Sequence, residues 1–198
     1  MSETIEKYTA ILDKQKEIAA EYYEEDWELA FDENGVKTYS KMFDFCPISC
    51  YKCVGIIDGT PEAVLKTMWT MRNEDIIKIE KNVYDYQIIE DLTDTMRVQT
   101  QKNKLPWPIW DRHSVVLFGR GEDEDGIKWI LSKSIKHDGY SVDEASHVET
   151  DVHLGVYKLT PREDGKTEMV RFIHVDPLGN LPSYVVETNA RSMAAPIV

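Results

Sequence analysis

Six extended segments follow one another with no helix between them: residues 83–90, 95–102, 113–120, 127–136, 148–159 and 167–176. Each is rich in β-branched and aromatic residues, alternates in polarity and is bounded by turn residues, which is the pattern of strands. Consecutive strands without crossover helices pair as an antiparallel sheet, so the parallel α/β folds are excluded. Ahead of them, residues 27–31 and 36–42 flank Asp32-Glu33-Asn34-Gly35, whose Asn-Gly pair is a strong hairpin signal. Residues 48–57 add a third strand before Asp58-Gly59-Thr60-Pro61 breaks the sheet.

Helices bracket this sheet. Ile5, Tyr8, Ile11, Leu12, Ile18, Ala19 and Tyr22 recur at helical spacing, which predicts an amphipathic helix within residues 1–26. Thr60 is suited to cap a helix over 61–69, with Pro61 at its first position. A short helical passage follows over 76–81. A last helix is expected over 180–195, with Pro182 in its first turn and Leu181, Tyr184, Val185 and Thr188 on one face. The expected fold class is α+β, one domain over residues 1–198. A curved antiparallel sheet with one helix laid across it can enclose a cavity.

Composition narrows the partners. With 23 basic and 36 acidic residues the net charge is −13, and no window holds the clustered cations that a phosphate backbone requires, so no nucleic-acid partner is expected. A polybasic membrane anchor is excluded on the same grounds, which leaves apolar, transient membrane contact. No apolar run is long enough to span a bilayer, and the N-terminus lacks the pattern of a secretory signal, so a cytoplasmic location is expected. Cys46, Cys50 and Cys53 lie close together, but Cys50 and Cys53 point to opposite faces of one strand; reduced, packed thiols are expected rather than a metal site or a disulfide.

The segment most suggestive of function is Leu105-Pro106-Trp107-Pro108-Ile109-Trp110-Asp111-Arg112. Two prolines exclude a helix or a central strand, so the tryptophans sit on a constrained loop that runs into a strand headed by a cation. Either the tryptophans plug a core edge and Arg112 is a rim charge, or the loop is a gate over a cavity with the charge inside. Asp85, set among Tyr84, Tyr86, Ile88 and Ile89, is a second charge within a strand, and it could pair with Arg112 or with the polar head of a ligand.

Catalytic and cofactor motifs are missing. The stretch Gly119–Gly126 fails the dinucleotide, phosphate-loop and calcium-loop patterns and is expected to be a solvated turn. The five histidines show no paired metal spacing; His174 alone, on an alternating strand, is a candidate acid or base. No catalytic residue, metal or cofactor is expected.

Taken in order, several motifs resemble the START domains, the steroidogenic-acute-regulatory-related lipid transfer proteins. Trp27 with Gly35-Val36-Lys37-Thr38-Tyr39-Ser40 is similar to their opening hairpin and Tyr51-Lys52-Cys53-Val54-Gly55 to their third strand. Pro106 to Arg112 resembles their apolar loop, and Val175-Asp176-Pro177-Leu178-Gly179-Asn180-Leu181-Pro182 the segment that leads into the last helix. The resemblance implies a helix-grip fold, in which the sheet wraps the C-terminal helix around a tunnel for one lipid, such as a sterol or phospholipid, carried between membranes by a monomer. It also implies a lid made of the last helix and the loop bearing Leu105, Trp107, Ile109 and Trp110, and an acid–arginine meeting at Asp85 and Arg112.

With Arg112 facing inward, alternation places Ser114, Val116 and Phe118 beside it, and the apolar parity of the next strand adds Trp129 and Leu131. His174, Tyr184 and Thr188 complete the expected ligand-binding set. The residues leave two alternatives open: an enzyme of the wider superfamily, a cyclase, aromatase or hydrolase using His174 or Asp85 as base, and a lipid-gated module for a protein partner.

Overall fold

The computed structural model describes residues 2–140, 145–179, 181, 182 and 185. A 22-residue helix, α1 (Ser2–Tyr23), leads into three strands, β1 (Glu28–Glu33), β2 (Val36–Phe43) and β3 (Cys46–Ile57). Asn34 and Gly35 both take positive φ, 54° and 78°, as the two-residue hairpin turn between β1 and β2 requires. Helices α2 (Pro61–Thr70) and α3 (Asn73–Ile79) come next. Thr60 accepts a bond from the Ala63 N–H and caps α2, while Asp75 reaches back to the Arg72 N–H and fixes the start of α3 three residues ahead of its apolar stretch.

The remaining strands are β4 (Val83–Thr93), β5 (Met96–Asn103), β6 (Asp111–Glu122), β7 (Lys128–Ser134), β8 (His147–Glu149), β9 (Asp151–Pro161) and β10 (Thr167–Asp176). They form one curved sheet in the order β1-β2-β3-β10-β9-β7-β6-β5-β4, antiparallel at every step, with β8 attached in parallel to the start of β6. The single strand expected over 148–159 is divided at Thr150. There the Thr150 N–H bonds His113 O, and Ser134 Oγ takes up both Thr150 O and the Val152 N–H, so a side chain replaces the backbone partner and the strand changes neighbour.

The two faces of the sheet are covered differently. On one, Tyr8, Leu12, Ala19 and Tyr22 of α1 pack on Val115, Leu117, Trp129 and Leu131. On the other, Val64 and Leu65 of α2 pack on Val36, Cys53, Ile130, Leu159 and Met169. Cys50 belongs to the first cluster and Cys53 to the second, as alternation requires, and all three cysteines are free and buried. The expected helix over 180–195, with Tyr184 and Thr188, lies outside the described residues apart from Leu181, Pro182 and Val185.

Close docking of α1 depends on the missing side chain at Gly119, because a Cβ there would overlap Leu12 Cδ1. Gly119→Ala is therefore expected to destabilise the fold by about 1–2 kcal/mol through overpacking. In a Leu12→Ala background the same change should cost measurably less, since the two groups contend for one space. Urea unfolding of the four proteins checks this; strictly additive losses would contradict the packing.

Candidate functional site

Between the sheet and α2–α3 lies a cavity of about 330 Å³. Period-two alternation builds its wall: Arg112, Ser114, Val116 and Phe118 of β6 face it while Val115 and Leu117 face α1. The same rule delivers Ile130 and Ser132 from β7, whereas on β9 a bulge at His153 shifts the parity, so that Val152 before it and Tyr157 after it both line the cavity. Met68, Met71, Ile76 and Ile79 roof it from α2, α3 and the turn between them, and Ile173, Val175, Pro177 and Leu181 line it from β10 and the chain beyond. Most of the lining is apolar.

Trp129 and Leu131 are not part of this wall. Both sit on the α1 face, Trp129 with its Nε1–H donated to Asp123. Both faces of β7 are buried, so the apolar parity that suggested these two residues could not distinguish a wall from a core. Nor is His174 in the cavity: it is fully buried on the opposite side, among Tyr22, Phe43, Phe45 and His153, with Nε2 bonded to Ile48 O.

The expected Asp85–Arg112 pair does not form. Asp85 stands directly across from Lys102 in the β4–β5 register, and their charged ends meet at 3.0 Å, half-buried and away from the lining. The Arg112 guanidinium, 6% exposed, is two strands further in and bonds carbonyls instead. Nε donates to Pro177 O, Nη1 to Trp110 O at 2.6 Å and Nη2 to Leu178 O at 2.9 Å. It thus ties the start of β6 to the chain leaving β10. Asp111 anchors the other end of the loop, accepting from the Leu105 N–H and pairing with Lys104.

Of the loop residues, Leu105 is buried and lines the cavity, Ile109 is half-buried, and Trp110 and Trp107 are 56% and 92% exposed. The tryptophans therefore do not plug a core edge. Leu178, also exposed, stands on the segment that Arg112 binds. An exposed apolar tip with two indoles thus belongs to the loop whose Leu105 lines the apolar cavity.

Sequence reasoning missed a polar row on β5: Arg97, Gln99, Gln101 and Asn103 all line the cavity. Arg97 and Gln99 are each 5% exposed and belong to one network. Tyr86 Oη donates to Gln99 Oε1 at 2.6 Å, and Arg97 donates to Gln99 Oε1, Tyr86 Oη and Trp69 O. On the other side of the cavity Arg171 pairs with Glu80 at 3.5 Å and lies over the Tyr157 ring. Burial pushes the Tyr157 hydroxyl up to about 12, so the phenol is neutral beside the cation. The signal for Arg97 was available, since it is a charge within a strand flanked on both sides by other strands.

Away from the cavity, ligand atoms of Cys46, His153 and Asp176 come within 4.8 Å of one another. His153 is already paired with Asp151, and Asp176 accepts the Leu178 N–H.

Desolvation pushes the buried His174 imidazole below the ordinary histidine range. The unfolded chain therefore takes up the proton first, and the contribution of neutral His174, complete above pH ~6.5, is lost as pH falls toward the lowered native value. Urea unfolding at pH 7.5 and 5.5 should show a smaller loss of stability on acidification in His174→Gln than in the wild type. Equal pH dependence would contradict this assignment.

A START domain family model matches residues 8–196. StAR-related lipid transfer protein 5 of Bos taurus is 29% identical over 172 residues, covering 85% of this chain and 81% of that protein. Among solved structures, human StAR-related lipid transfer protein 5 superposes with a TM-score of 0.82 at 24% identity, over 96% of this chain and 92% of that one. A STAR-related lipid transfer protein fragment from Xanthomonas axonopodis gives 0.72 at 21% identity, over 87% and 97% of the two chains. The antiparallel curved sheet with its N-terminal helix fits the helix-grip fold of these structures. The family is one of lipid-binding and lipid-transfer domains, and on this evidence the chain is a member of the START domain family.

Proposed function

We propose that this chain binds one lipid in the cavity and carries it between membranes, without catalysing a reaction, as a cytoplasmic monomer. The observation that supports this best is the pairing of an apolar cavity with an exposed Trp107–Trp110 loop at its mouth. Removing a lipid tail from water provides the affinity, at ~25 cal/mol per Å² of apolar area before ordering costs. Indole rings suit the boundary between headgroups and acyl chains, so this loop touches the membrane while the mouth is open. Leu105, pointing inward from the same loop, is the inner face of the gate.

In this reading Arg112 is a positioning residue, holding the loop against the chain after β10, rather than the partner of Asp85. Ser114, Val116 and Phe118 form the wall against which the ligand packs. The −13 net charge keeps the protein off anionic surfaces except through this apolar tip. No helix among the described residues is long and apolar enough to cross a membrane, as suits a carrier that visits membranes without remaining in them.

Transfer of a fluorescent lipid between neutral vesicles tests the reading. Trp107→Ser with Trp110→Ser should slow transfer by about tenfold, from lost interfacial burial, while lipid already bound in the cavity is retained with little change. Equal loss of transfer and of equilibrium binding would place these residues in the binding wall, and unchanged transfer would remove the loop from the mechanism.

A further inference from the structure

Three arginines line the cavity among the described residues, and they differ in the negative charge set beside them. Arg171 has Glu80. Arg112 has three backbone carbonyls in a fork, and the neighbouring Asp111 carboxylate acts on it. Arg97 is 5% exposed, and its three bonds go to Trp69 O, the Gln99 amide oxygen and the Tyr86 hydroxyl. No carboxylate of the described residues pairs with it; Asp91 acts only at a distance, and Arg72 and Arg120 oppose it.

The surroundings concentrate cationic character further. The Arg97 guanidinium lies over the Trp69 ring at 4.1 Å, and Arg120 lies against the same ring at 4.9 Å. In a chain of net charge −13 this is a pocket of the opposite sign. Burying an unpaired cation is costly, and the cost is recovered when a counter-ion arrives with hydrogen-bonding oxygens. Three bonds engage three of the five guanidinium N–H groups, so two donors remain for an oxyanion. Gln99, Gln101 and Asn103 continue the polar row from there along β5 toward the mouth.

We infer that the cavity selects amphiphiles bearing one oxyanion, a carboxylate or a phosphate, which Arg97 receives with Tyr86 and Gln99 while the tail extends toward the Leu105 end. This inference rests on the lipid-carrier reading and specifies its cargo. The dimensions are consistent with it: Arg97 and Asn103 are separated by six residues of strand, about 20 Å, a length that suits a long acyl chain packed on the apolar lining from other elements, Ile76, Ile79, Ile173 and Val175, below an anchored head. The head is thereby held at the α2–α3 end, remote from the tryptophan loop, and the chain would enter head first.

Competition binding with four probes tests this, each used below its micellar concentration. Oleate and oleoyl lysophosphatidate carry the charge; oleyl alcohol and monooleoylglycerol are their neutral counterparts. The wild type should bind at least one charged probe about tenfold or more tightly than its counterpart, as a charge-assisted bond in a buried site implies. Whichever charged probe is favoured identifies a free fatty acid or a phosphate headgroup as the source. Arg97→Gln should abolish the preference, the charged probes losing about tenfold or more relative to their neutral counterparts. Equal affinity of charged and neutral probes in the wild type would overturn the inference, and that comparison does not depend on the variant's folding. Binding of neutral lipids alone would overturn it and leave the carrier reading standing, whereas no binding of any lipid would overturn both.

Discussion

Arg112 is the point on which the architecture of the cavity mouth depends. A buried guanidinium must find acceptors, and this one finds them in the carbonyls of Trp110, Pro177 and Leu178. Bonds to a charged donor contribute about 1.5–3 kcal/mol each, enough to hold the two loops together. One of those loops carries the exposed indoles and the other leads toward the C-terminal segment. The cation thus makes a single structure of two chain segments that are 65 residues apart or more in sequence.

Behind the mouth, one rule arranges everything else. Strands present alternate residues to opposite faces, and here both faces are buried for different reasons. The α1 face is filled by side chains, from Tyr8 and Leu12 to Leu117 and Trp129. The other face keeps a cavity because α2 and α3 roof the sheet at one end without filling its middle. A polar row on β5 then runs beneath an otherwise apolar space, which is the composition expected of a site for a molecule with one polar end.

Much of this was legible in the amino-acid sequence, and the failures have physical causes. The two longer helices and nearly all the strands of the described residues are where periodicity and caps place them, because Thr60, Pro61 and Asn34-Gly35 act locally. Ser114, Val116 and Phe118 followed from alternation once Arg112 was taken to face inward. Trp129 and Leu131 did not, because hydrophobicity identifies a buried face and cannot say which of two buried faces it is. Asp85 was paired wrongly because register between strands is not written in either strand alone: Lys102, directly opposite, reaches it first. Arg97 was passed over although the test applied to Arg112, a charge inside a strand, picks it out equally well.

The central claim is that this cavity takes up a single lipid molecule. Native mass spectrometry of the purified protein after exposure to a mixed lipid extract tests it most directly. The account predicts one lipid per chain, selected reproducibly from the mixture, with the unliganded mass recovered when that lipid is stripped. A chain that keeps its bare mass in every extract, while retaining its folded charge-state distribution, would contradict it.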